Sequence, residues 1–222
     1  MAKIENNLLN IQKQIVNAKQ RANTDQTVNI IAVTKEVDVA RTEEAIEAGL
    51  THLGENRPEG LANKLESINS NVSWHFIGSL QTRKVKQVIN NIDYLHSLDR
   101  LSLAEEIEKR ATKAVKCFIQ VNVSGEESKH GMTKQQTLEF VKQLEQFSKI
   151  IVVGLMTMAP FTEDETVIRQ VFKQLKQLQQ EVSQLNIPNV PCTELSMGMS
   201  NDYEIAVEEG ATFVRIGTAL VG

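Results

Sequence analysis

Asn29-Ile30-Ile31-Ala32-Val33-Thr34-Lys35 is a short apolar run closed by a lysine. A run of this length between polar residues reads as a strand buried on both faces, as in a parallel sheet. A helical pattern follows over residues 41–48 and stops at Gly49, a residue suited to the left-handed turn after a helix. The same unit recurs outward from here to the end of the chain. Strand-like runs are expected at 51–53, 74–77, 94–98, 117–122, 150–156, 193–196 and 212–216. Helical patterns over 56–68, 83–90, 101–113, 133–146, 165–185 and 202–209 separate them, and a further one precedes them over 4–21.

Strands alternating with helices imply parallel pairing. Eight such units at a mean repeat of about 26 residues predict one closed (β/α)₈ barrel of the TIM type, with an N-terminal helix and residues 1–222 as a single domain. An open doubly wound sheet is the alternative, but no Gly-rich dinucleotide fingerprint follows any strand.

Composition narrows the chemistry only by exclusion. Lys plus Arg number 24 against 28 for Asp plus Glu, a net charge of −4, which makes a poor counterion for nucleic acid or an anionic membrane. Apolar runs fall far short of the ~20 residues that span a bilayer, and the N-terminus lacks the apolar core of a signal peptide. A cytoplasmic location is expected. The two cysteines, Cys117 and Cys192, form no metal-binding spacing, and Cys117 reads as a small core hydrophobe.

Sites in such barrels lie at the C-terminal ends of the strands. Lys35 closes the first, Asn56 follows the second, His75 lies in the third and Met156 ends the sixth. Arg215, Gly217 and Thr218 end the eighth. A lysine there either reaches water or, with its pKa lowered, acts as a nucleophile toward aldehydes. Closure would set Arg215 beside it, and two cations around one pocket call for a bound anion. The segment Ser196-Met197-Gly198-Met199-Ser200-Asn201-Asp202 leads from the seventh strand into a short helix, with Ser200 or Asn201 expected as its N-cap. Gly217-Thr218 adds a close-approach glycine and a hydroxyl. A phosphate site beside an aldehyde-capturing lysine suggests pyridoxal 5′-phosphate.

The ordered set of segments around Lys35, Gly54-Glu55-Asn56, His75-Phe76-Ile77-Gly78, Ser124-Gly125-Glu126 with Lys129, Gly154-Leu155-Met156-Thr157, Ser196–Asp202 and Val214-Arg215-Ile216-Gly217-Thr218 resembles the pyridoxal phosphate homeostasis proteins, which are related to the N-terminal barrel of alanine racemase. The resemblance implies a monomeric barrel that carries pyridoxal phosphate on Lys35, with little or no turnover. It also implies that Ser200, Gly217 and Thr218, helped by the backbone after Gly198, hold the phosphate, and that Ser196 belongs to the cofactor site. Arg215 would face the ring nitrogen, Asn56 the ring hydroxyl, and Met156 or His75 would pack near the ring. Partners would be the cofactor and pyridoxal-phosphate-dependent apo-enzymes. Arg57-Pro58 and Arg83 depart from the family pattern, at positions that bear on partner contacts.

Two other functions compete. An amino-acid racemase needs a second acid/base on the opposite face of the cofactor. Alanine racemases take that tyrosine from a C-terminal domain, which is not expected here, and only Tyr94 and Tyr203 are available. A cofactor-free aldolase would use Lys35 directly on a sugar phosphate.

Overall fold

The computed structural model describes residues 2–123, 125 and 130–222. Ser124, Glu126 and Lys129, which contribute to the family resemblance, lie outside the described residues.

Helix α1 (Ala2–Arg21) comes first; strand β1 (Asn29–Val33), helix α2 (Val39–Glu47), β2 (His52–Glu55), α3 (Pro58–Ser67), β3 (Ser73–Phe76), α4 (Val85–Val88) and β4 (Tyr94–Leu98) follow. The second half runs α5 (Leu101–Arg110), β5 (Val115–Gln120), α6 (Lys134–Gln143), β6 (Ile150–Met156), α7 (Glu165–Ser183), β7 (Glu194–Ser196), α8 (Tyr203–Glu208), β8 (Phe213–Ile216) and α9 (Thr218–Val221). The strands close in sequence order, β1 to β8, into a parallel barrel. The (β/α)₈ expectation holds.

Closure is made by β1 and β8, which pair Asn29 with Phe213, Ile31 with Arg215 and Ala32 with Ile216. On the opposite side of β8 the seam is thinner, since β7 meets it at Ser196–Phe213 alone. Gly154 governs the approach of β6 to β7, because a Cβ there would lie 2.0 Å from the Glu194 carbonyl oxygen.

The outer ring follows from helical periodicity. In α1, Ile4, Leu8, Ile11, Ile15 and Ala18 recur at three- and four-residue steps and are buried against the barrel. Arg21 at its end pairs with Glu204 and Glu208 of α8 at 2.9 and 2.5 Å. Gly49 adopts φ +98° just after α2, as the residue type implies. Pro58 occupies the first turn of α3, where its missing N–H costs nothing. The helix expected over 83–90 is instead one α turn flanked by 3₁₀ turns at Thr82–Lys84 and Ile89–Asn91. Val85, Val88 and Ile89 are β-branched and buried, and the pair Asn90-Asn91 favours turn over helix. Cys117 and Cys192 are both buried, and burial pushes each thiol up to about 12. Among the described residues no helix is long and apolar enough to cross a membrane.

Gly154→Ala is expected to cost about 3 kcal/mol in urea unfolding, because backbone rather than a yielding side chain fills the space. A loss below about 0.5 kcal/mol would show that β6 and β7 can part without penalty.

Candidate functional site

Alternation along the strands sends Ile31, Phe118, Met156 and Phe213 into the barrel interior, where they pack together against Tyr94 and Val153. Histidines occupy much of the remaining interior. His75 stacks on Tyr94 with ring centroids 4.3 Å apart, and His96 stacks on Phe118 at 4.4 Å. Met156, expected near a ring, is buried in this interior cluster.

Arg215 lies among them, buried. Its Nη1 donates to Ser196 Oγ at 2.5 Å and its Nη2 to the Thr157 carbonyl at 2.9 Å. No carboxylate among the described residues forms an ion pair with it, and desolvation lowers its pKa to about 10, against the raising influence of Asp202. A buried cation held by neutral acceptors retains attraction for an incoming anion or an electron-rich ring nitrogen.

At the end of β1 the chain turns, and Lys35 stands exposed with no hydrogen-bond or ion-pair partner among the described residues. The backbone beneath it is anchored. Lys64 of α3 is buried and donates through Nζ to the Thr34 carbonyl and to Glu55 Oε1, both at 2.5 Å. Thr34 Oγ1 donates to the same carboxylate oxygen at 2.6 Å. Gly60 leaves room for the group, since a Cβ there would meet Glu55 Oε2 at 2.9 Å. Asn56, next in line, is half-buried, and Gly78 lets β3 pass it: a Cβ at Gly78 would sit 2.3 Å from the Asn56 carbonyl oxygen.

The loop after β7 is tied to β8 by the Arg215 N–H, which donates to the Gly198 carbonyl at 2.9 Å. Gly198 takes φ +91° and would clash with Ala206 if it carried a Cβ, at 2.6 Å. The cap of α8 differs from expectation. Asp202, rather than Ser200 or Asn201, is the N-cap residue, and its carboxylate accepts from the Met199 N–H at 2.6 Å instead of from the helix. Burial raises the Asp202 pKa, offset in part by that backbone donor and by Arg215. The N–H groups of Ser200, Asn201, Thr218 and Ala219 have no protein acceptor among the described residues. Gly217 packs on β1, its missing Cβ 3.6 Å from Val33 Cβ, and Thr218 is exposed beside it.

The sequence-predicted residues thus divide. Lys35, Asn56, Ser200, Gly217 and Thr218 are at least partly open at the strand ends, whereas His75, Met156, Ser196 and Arg215 are interior. Sequence reasoning missed Lys64, Glu55 and the flanking histidines. Lys64 was detectable, for it sits on the apolar stripe Leu61, Leu65, Ile68 of α3 where no charge belongs. His52, His75 and His96 lie one to a strand, and their proximity emerges only once β2, β3 and β4 are paired in register.

Against this geometry the comparisons are specific. A sequence profile described as "Alanine racemase, N-terminal domain" matches residues 7–222. The pyridoxal phosphate homeostasis protein of Aquifex aeolicus is 39% identical over 220 residues, covering 97% of this chain and 96% of that one. The protein of the same name from Pasteurella multocida is 34% identical over 226 residues, covering 99% and 97%. Among solved structures, PipY of Synechococcus elongatus with pyridoxal phosphate bound superposes with a TM-score of 0.88 at 31% identity, covering 99% of this chain and all of that one. The alanine racemase of Corynebacterium glutamicum, 14% identical, shares the fold with a TM-score of 0.73 over 99% of this chain and 60% of its own. The chain belongs to the alanine racemase N-terminal domain family and, within it, to the pyridoxal phosphate homeostasis proteins.

Two predictions follow from the buried groups. Desolvation holds His75 and His96 well below the ordinary histidine range, with neighbouring positive charge adding to the effect, and lowers His52 likewise. The folded protein therefore declines protons that the unfolded chain takes up below pH ~6.5. Stability is expected to be flat above that pH and to fall below it, approaching about 2.7 kcal/mol per pH unit for two silent histidines. Urea midpoints between pH 5 and 7.5 measure this, and a flat profile contradicts it. Lys64→Met is expected to cost about 3–5 kcal/mol by stranding Glu55, and the double variant with Glu55→Gln to cost less.

Proposed function

We propose that residues 1–222 act as one pyridoxal 5′-phosphate-holding unit, bound through Lys35, that serves vitamin B6 homeostasis with little or no turnover. The observation that carries this reading is the combination, among the described residues, of an unpartnered lysine amine at the end of β1, a buried Arg215 without a carboxylate partner and a row of N–H donors without acceptors across the closing seam. The relatives named above support it, as does the cofactor-bound PipY structure at full coverage.

The donor set suits the cofactor. Its phosphate needs several donors and room for close backbone approach, which Ser200, Asn201, Thr218, Ala219 and the glycines Gly198 and Gly217 supply. Bound pyridoxal phosphate supplies an aldehyde that reacts with a primary amine and a ring that can withdraw electrons. Lys35 provides that amine, and the Lys64–Glu55–Thr34 group holds the backbone from which it projects. Asn56 serves the ring hydroxyl, and Met156 and His75 belong to the packing beneath the ring.

Arg215 decides against strong catalysis. A guanidinium offers donors only, so it hydrogen-bonds a ring nitrogen without protonating it. An unprotonated ring is a weak electron sink, which suits retention of the cofactor better than carbanion chemistry. A two-base racemase would require a tyrosine facing Lys35. Tyr94 is packed against His75 with Lys116 Nζ 3.2 Å from its hydroxyl, so it is committed elsewhere. Further parts of the proposal are a monomeric, cytoplasmic protein that passes cofactor to pyridoxal-phosphate-dependent apo-enzymes and engages neither nucleic acid nor membrane.

The purified protein is expected to take up pyridoxal phosphate and turn yellow, with the visible band lost in Lys35→Ala. A colourless protein that resists reconstitution would defeat the reading. Loaded protein should hand cofactor to an apo-enzyme at least as fast as free cofactor at equal concentration, and incubation with L-alanine should leave optical rotation essentially unchanged.

A further inference from the structure

Four side chains join Arg215 to the start of β2 in an unbroken line. Ser196 Oγ lies 2.9 Å from His96 Nδ1, His96 Nε2 lies 2.9 Å from His75 Nδ1, and His75 Nε2 lies 2.9 Å from His52 Nδ1. Each histidine comes from a successive strand, β4, β3 and β2 in turn. Ser196, His96 and His75 are buried, and His52 is half-buried, bordering a groove between α1 and the N-terminal end of the barrel that also includes Ile15, Lys19 and Thr51.

The line has one direction. Arg215 has no acceptor atom, so Ser196 Oγ must accept from it. The single hydroxyl hydrogen of Ser196 then has one acceptor in reach, His96 Nδ1. With Nδ1 accepting, a neutral His96 carries its hydrogen on Nε2 and donates to His75 Nδ1; the same step repeats from His75 Nε2 to His52 Nδ1. The opposite polarity would strand the buried Ser196 hydroxyl hydrogen without a partner. A second proton on His75 would set N–H against the His96 N–H, and one on His96 would set N–H against the Ser196 O–H. Burial of both rings keeps them neutral, as does the positive charge nearby.

We propose that Ser196, His96, His75 and His52 are positioning residues for Arg215, a one-way hydrogen-bond line that makes Ser196 a pure acceptor on the guanidinium side and thereby fixes where the remaining guanidinium donors point. The claim rests on the cofactor reading for its consequence, namely that those donors meet the cofactor ring, but not for the line itself. Each link polarises the next, so the acceptor strength at Ser196 depends on rings two strands away.

Ligand-free protein tests the line. Long-range ¹H–¹⁵N spectra are expected to show His75 and His96 as Nε2–H tautomers at pH 7, with resolved Nη–H signals from Arg215 that are lost in Ser196→Ala and regained in Ser196→Thr. An Nδ1–H tautomer at either histidine, or Arg215 signals indifferent to Ser196→Ala, overturns the proposal. Protein loaded with pyridoxal phosphate tests the consequence. Ser196→Ala is expected to weaken cofactor binding about tenfold and shift its visible maximum, with Ser196→Thr within about threefold of wild type. An unchanged affinity and spectrum in Ser196→Ala overturns the positioning role. Failure of the wild-type protein to take up cofactor strikes the proposed function, while the ligand-free spectra still decide the line.

Discussion

Arg215 enters the barrel where β8 closes onto β1, and it does so as a cation with no carboxylate in contact. Burying such a group is costly unless its donors are met, and here two of the five are met, by a serine hydroxyl and a backbone carbonyl. Much of the interior can be traced to that requirement. Ser196 must accept and therefore must find somewhere to donate, which calls for a neutral histidine, which in turn needs another acceptor. The rings packed around the line are those of Tyr94, Phe118 and Phe213.

The site therefore has two differently built sides. On the β1–β2 side a buried ion pair, Lys64–Glu55, fixes the backbone below a free amine. On the β7–β8 side the N–H groups of Ser200, Asn201, Thr218 and Ala219 have no protein acceptor among the described residues, and Asp202 turns its carboxylate back to Met199 rather than forward into α8. The two sides meet through the β1–β8 register, which makes Ile31 the neighbour of Arg215 and sets Gly217 against Val33.

The fold is largely legible from the chain because strands such as β1 and β6 are apolar runs and helices such as α1 and α7 carry a clean periodicity. Errors fell where local propensity was overruled. Residues 83–90 carry a helical pattern, yet buried β-branched residues break them into three short turns. Of the site, Lys35, Arg215 and the Gly217-Thr218 turn could be named from their places at strand ends. The ion pair beneath Lys35 and the three-histidine line could not, since each joins residues on different strands or on a strand and a helix, and only registration in three dimensions brings them together. The cap of α8 was misplaced because Ser200, Asn201 and Asp202 are all good capping residues, and only burial beside Arg215 distinguishes the last.

The two cysteines, placed in the core and held protonated by burial, bear on what such a protein can carry. Aldehydes add readily to thiolates, and an exposed thiolate near a reactive aldehyde would compete with a lysine for it. With Cys117 and Cys192 both out of reach and far above neutral pKa, the chain offers its cargo amines alone. Capture of an aldehyde on nitrogen is reversible by exchange with another amine, so under the proposed function release asks only for a second amine.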